Sequence, residues 1–122
     1  MFLAMKLDIL SLNVRGLKNI KKRRTLFNSF KSKDFDIICL QETYLTNKEL
    51  NKIQNEWGSL VHLSESEGRS KGVVTLFNKR LRNYKISISY FNSRCLVSKI
   101  SLENAFSKLL VQSTRQGAPY CK

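Results

Sequence analysis

The segment Ile37-Ile38-Cys39-Leu40 constrains the fold more than any other stretch. Successive side chains of a β-strand point to opposite faces, so an unbroken apolar run predicts a strand buried on both sides. Such a strand is central in a sheet and needs a layer above it and a layer below it. The rest of the sequence is read around that requirement.

Upstream, Lys6 to Val14 alternates in the manner of a strand, and Arg15-Gly16 interrupts it. From Asn19 to Ser32 the apolar residues Ile20, Leu26, Phe27 and Phe30 recur at helical spacing among Lys21, Lys22, Arg23 and Arg24. That pattern is a basic amphipathic helix. Thr46-Asn47-Lys48-Glu49 fits a capping box, which predicts a helix running to about Trp57. Leu60 to Leu63 and Gly72 to Phe77 read as strands joined by a polar loop, and Tyr84 to Phe91 alternates with one wetter face. Cys95 to Ser101 and Phe106 to Val111 are two further candidate strands. The order is strand, helix, strand, helix and then strands alone, an α/β arrangement passing into a β meander, with no internal repeat and no linker. Residues 1–111 are expected to form one domain, and 112–122, which has no apolar period and holds the single proline Pro119, a disordered tail.

With 42% apolar residues the 122-residue chain can build a core, which excludes a disordered tail as a description of the whole. Its 22 Lys and Arg outweigh 9 Asp and Glu to give a net charge of +13. That potential attracts polyanions, nucleic acid first among them, although any single lysine is as well explained by solvation of a helix face. The apolar start Met1 to Met5 is too short for a signal-peptide core, and no run approaches a membrane span. The cysteines Cys39, Cys95 and Cys121 are odd in number and far apart, which suggests neither a disulfide framework nor a zinc site. An intracellular protein, nuclear or cytoplasmic and without a membrane partner, is the expectation.

Asn13 ends the first strand and Glu42 follows the buried one. If the two strands are parallel neighbours, as a strand-helix-strand crossover favours, both side chains emerge at the carboxyl edge of the sheet, where α/β sites form. A carboxylate beside an amide supplies part of the oxygen shell of a hard cation such as magnesium. On spacing alone the alternative stays open that Asn13 caps a turn and Glu42 is solvated.

The residues in these positions also carry a resemblance. Leu10-Ser11-Leu12-Asn13-Val14-Arg15-Gly16-Leu17 resembles the first motif of the endonuclease/exonuclease/phosphatase superfamily, and Asp36-Ile37-Ile38-Cys39-Leu40-Gln41-Glu42-Thr43 resembles its second. Ser70-Lys71-Gly72-Val73-Val74 is similar to a third recurring segment, and the Asn-Val-Arg-Gly-Leu form is similar to that of LINE-type retrotransposon endonucleases. The resemblance implies the N-terminal part of a four-layer α/β sandwich (DNase I-like), with a mixed, mostly antiparallel sheet and two helices on one face. It further implies magnesium, or manganese in its place, as cofactor. Glu42 and Asn13 are then the catalytic and metal-binding residues, and Gln41 supports them from beside. Arg15, Lys18 and Lys71, in or near the motif loops, are candidate contacts to the phosphate backbone of duplex DNA.

The sequence departs from that family after Val111. The Tyr-Ala-Pro turn, the Asp-x-Asn motif and the terminal Ser-Asp-His of the family are missing, and the only histidine, His62, lies mid-chain as a surface or strand residue. The expectation is a truncated domain, inactive alone, with apolar faces that favour self-association. Two further readings stand beside it, a non-enzymatic basic nucleic-acid-binding remnant and a fragment resembling an abasic-site repair endonuclease.

Overall fold

The strand β1 (Ile9–Asn13) and the strand β2 (Ile37–Gln41) lie side by side and parallel, with Ile9 opposite Ile37 and Asn13 opposite Gln41. The helix α1 (Ile20–Lys33) makes the crossover between them, as a parallel pair requires. The computed structural model describes residues 6–69, 71–92, 95–102 and 108–114. After β2, a short 3₁₀ turn (Asn47–Glu49) leads into α2 (Leu50–Trp57). The strands β3 (Val61–Ser64) and β4 (Val73–Phe77) follow as an antiparallel pair, and β4 also pairs antiparallel with β2. The first sheet therefore has the order β1-β2-β4-β3. A second, antiparallel sheet holds β5 (Tyr84–Asn92), β6 (Cys95–Leu102) and β7 (Lys108–Thr114).

Local chemistry sets the helix ends. Asn19 caps α1 by accepting the Lys22 amide, and the chain leaves α1 through Asp34 at φ 60°. Thr46 and Glu49 form the capping box that their spacing predicts, and Gly58 at φ 85° ends α2. The expected Thr46 start is thus confirmed, with its first turn tightened to 3₁₀ geometry.

Alternation along the strands sorts the layers. Ile38 and Leu40 of β2, Val74 and Leu76 of β4, and Val61 and Leu63 of β3 pack with Phe27, Phe30, Ile53 and Trp57 of the two helices. Ile37, Cys39 and Phe77 point the other way and meet Ile100 of the second sheet. The continuous apolar run of β2 is therefore covered on both faces, as its composition predicts, and both helices lie on one face of the sheet.

Several expectations need correction. The first sheet does not lie bare opposite its helices, because the second sheet covers it. The strand expected to stop at Val111 continues in β7 to Thr114, which pairs with Cys95; Phe106 and residues 115–122 lie outside the described residues. Of the two places expected for His62, surface or strand, the structure gives the strand: it is 6% exposed in β3 and meets the Ser98 hydroxyl at 2.6 Å across the gap between the sheets. Cys39 is buried, whereas Cys95 is disulfide-bonded, although the cysteine spacing suggested no disulfide framework. Among the described residues no helix is long and apolar enough to cross a membrane.

Candidate active site

The parallel pairing of β1 and β2 continues past both strands as a run of backbone hydrogen bonds. Val14 N–H donates to the Gln41 carbonyl (3.0 Å), Gly16 N–H to that of Glu42 (2.6 Å) and Leu17 N–H to that of Thr43 (2.8 Å). On the other side, Thr43 and Tyr44 N–H donate to the carbonyls of Gly72 and Lys71 at 3.2 and 2.7 Å. Three loops are thereby fastened together at one edge of the sheet. The bends this demands are sharp: Arg15, Glu42 and Tyr44 hold φ of 51°, 55° and 59°. Non-glycine residues in that region cost about 1 kcal/mol or more each and persist only where the surroundings enforce them. Gly72, at φ 80°, has no room for a side chain, since an added Cβ would lie 2.9 Å from the Ser66 nitrogen.

Two cationic side chains of α1 brace this edge from within. Lys22 donates to the Val14 carbonyl at 2.5 Å. Arg23, only 1% exposed, donates to the Leu17 carbonyl at 2.8 Å and grips Glu56 of α2 at 2.5 and 2.8 Å. Sequence reading explains a single lysine such as Lys22 by solvation of a helix face and names Arg23 only as part of a basic amphipathic helix. The rotation of the helix places Arg23 beside Phe27 and Phe30 on its buried face, and a helical projection of this sequence could have found it.

The geometry brings Asn13 and Glu42 together, as the strand ends predict. The Asn13 amide donates to Glu42 Oε2, and Lys71 Nζ lies 2.6 Å from Glu42 Oε1. The Glu42 side chain is 16% exposed and that of Lys71 41%. Lys71 first, and Asn13 after it, hold the Glu42 carboxyl below its ordinary range, with the charge of Arg15 adding to the effect. The same pairing, followed by the Tyr44 side chain, holds Lys71 above its own.

The other expected residues fall at different distances from this centre. Arg15 is exposed beside it, and its backbone N–H donates to Asn13 Oδ1 at 3.2 Å. That bond, with the Glu42 bond at the other end of the amide, fixes which way Asn13 faces. Gln41 is buried, and its hydrogen bonds run back along the sheet to Ser11 Oγ (2.9 Å) and the Cys39 carbonyl (3.2 Å), not to Glu42. Lys18 is exposed, and the carboxylate its charge acts on is Glu49.

Among the described residues no group of three or more His, Cys, Asp or Glu side chains forms a metal-binding cluster. A single carboxylate still suits magnesium, which is commonly held by one or two carboxylates with water and substrate phosphates completing its shell. Glu42 is the residue that fits this role. Asn13, with its nitrogen toward Glu42, orients the carboxylate as a donor.

A DNase I-like half-sandwich with an acid and an amide at the carboxyl edge of its parallel strands defines a class, and the family comparison agrees. The chain belongs to the endonuclease/exonuclease/phosphatase family, whose model matches residues 10–112. Among solved structures it is similar to the endonuclease domain of TRAS1, a telomere-specific non-LTR retrotransposon, at a TM-score of 0.56 and 15% identity. The match covers 87% of this chain and 42% of that one, so the chain spans less than half of the matched domain. At that identity the likeness speaks for the fold.

Proposed function

We propose that this chain is part of a magnesium-dependent phosphodiesterase of the retrotransposon endonuclease type, whose whole domain nicks DNA by metal-assisted hydrolysis. In this reading Glu42 holds the divalent cation, with manganese able to replace magnesium. Asn13 orients Glu42 toward the ion and the attacked phosphate, and Gln41 stiffens the strand end beneath them. A bound cation polarises the phosphoryl oxygen and stabilises the leaving alkoxide. Arg15, Lys18 and Lys71 contribute positive charge toward the DNA backbone, which positions a duplex without reading its sequence. The observation that carries the reading is the meeting of Asn13 and Glu42 at the joined ends of β1 and β2. In this reading the chain by itself is inactive, because among the described residues Glu42 is the one carboxylate at the joined ends of β1 and β2 and no other side chain there is placed as a general base.

A second reading, a basic module that binds nucleic acid without cleaving it, is favoured by the Lys71 ammonium that neutralises Glu42. Plasmid nicking with and without magnesium, on the chain and on Glu42→Ala, tests the inactivity, while divalent-cation binding that depends on Glu42 separates the two readings. We expect no metal-dependent nicking by either, alongside DNA retention that weakens by roughly 0.9 powers of salt per phosphate neutralised. Metal-dependent nicking abolished in Glu42→Ala would overturn the inactivity. Nicking that persists in the variant would remove Glu42 from the site.

A further inference from the structure

Both oxygens of the Glu42 carboxylate face a nitrogen donor, Asn13 on one side and Lys71 on the other. The Lys71 contact is more than the casual reach of a surface lysine. Its own carbonyl accepts the Tyr44 amide, the carbonyl of the next residue accepts the Thr43 amide, and Gly72 is packed too tightly for any side chain. The backbone beneath Lys71 is therefore fixed to the loop that carries Glu42. Its side chain, by contrast, is 41% exposed and has an open path into solvent. Glu42 and Lys71 together have no net charge, so an approaching dication meets an ammonium in direct contact with the carboxylate it would bind. An ion pair this exposed is weak enough to exchange.

Resting on the metal reading of Glu42, we infer that Lys71 is the resident counter-ion of this carboxylate: it stands where a divalent cation would bind and must swing out for one to enter. Two consequences follow from the charges. The affinity of the chain for a dication is held down by Lys71. Once displaced, the ammonium is free beside the ion and turns to a phosphate, so a dication and a polyanion each strengthen the binding of the other, as reciprocal coupling demands.

The test is a manganese titration read by the electron paramagnetic resonance of free Mn²⁺, which needs no catalytic turnover. It compares the unaltered chain with Lys71→Met, Lys71→Gln, Lys71→Arg and Glu42→Gln, each checked for an unchanged thermal transition; the two neutral variants guard against a failure of either to fold. Removing the charge should tighten Glu42-dependent binding on the order of tenfold, the scale of one unit charge taken from beside a dication in a half-exposed site. Lys71→Arg should stay within about twofold of the parent, since it keeps the charge, and Glu42→Gln should lose the site. If the neutral variants bind no tighter than the parent while Glu42→Gln still abolishes binding, Lys71 is not the counter-ion and the role of Glu42 survives. If no variant shows binding that depends on Glu42, the metal reading falls and takes this inference with it.

Discussion

The two edges of the first sheet both pair acids with bases, yet they use them differently. At the amino edge, Asp36 is 5% exposed; its Oδ2 accepts the Asp8 amide at 2.8 Å and its Oδ1 the Arg80 Nε at 2.5 Å. Arg80 in turn donates to the Asp34 carboxylate and carbonyl, both at 2.6 Å, and ties the end of α1 to the turn after β4. At the carboxyl edge, the partners of the Glu42 carboxylate among the described residues are the side chains of Asn13 and Lys71, on a backbone bent into the left-handed region. The amino edge is a staple, in which Asp36 holds the Asp8 amide and Arg80 joins Asp36 to Asp34. The carboxyl edge holds an acid bonded by the Asn13 and Lys71 side chains, in a left-handed conformation that the joined loops enforce. Strain and side-chain partners do not by themselves mark a functional site, since Asp34 at the amino edge also holds a φ of 60° and its carboxylate is bonded by the side chains of Arg80 and Asn78. What sets Glu42 apart is its place beside Asn13 at the joined carboxyl ends of the parallel strands.

Substitutions at the two edges should separate these roles, and the largest effect lies beneath the carboxyl edge. Arg23→Ala leaves the Leu17 and Lys18 carbonyls and a largely buried Glu56 without their cation, and urea denaturation should show a loss of about 3–5 kcal/mol. Next comes an effect of pH centred between the edges, at His62. Burial lowers its pKa from the ordinary 6.5 to about 4. The unfolded chain therefore takes up the proton first, so stability is complete above about pH 6.5, falls as the pH drops and levels off below about 4. The total loss should approach 3 kcal/mol, and His62→Phe should flatten this part of the curve. Asp36→Ala, which orphans the Asp8 amide, should cost about 2 kcal/mol in the same urea assay. Smallest of all, Glu42→Gly should leave the melting temperature unchanged or raise it, because glycine relieves the φ of 55°. A marked fall in that variant would show that Glu42 belongs to the staple class and would erase the contrast between the edges.

Much of this was legible from local chemistry. The run Ile37 to Leu40 demanded two covering layers, Thr46 and Glu49 announced a helix start, and a strand-helix-strand order made Asn13 and Glu42 neighbours. Each of these signals sits within a few residues or follows from a topological rule. What escaped depends on contacts between distant segments. Lys71 reaches Glu42 across a separation of 29 residues that no periodicity records. His62 is buried only because the second sheet brings Ser98 over it. The extension of β7 to Thr114 comes from pairing with β6, which supplies the hydrogen bonds where the apolar pattern has run out. The left-handed backbone at Glu42 is likewise imposed by the three fastened loops and not by the residue itself.

The central claim is that the dication site lies at the joined carboxyl ends of β1 and β2. Backbone amide resonances recorded during addition of sub-stoichiometric Mn²⁺ test it by location, since the paramagnetic ion broadens the nearest signals first. Arg15, Gly16, Glu42 and Thr43 should broaden before any others, and Glu42→Gln should restore them. Broadening confined to Asp8, Asp36 and Arg80, with the carboxyl edge untouched, would contradict the account.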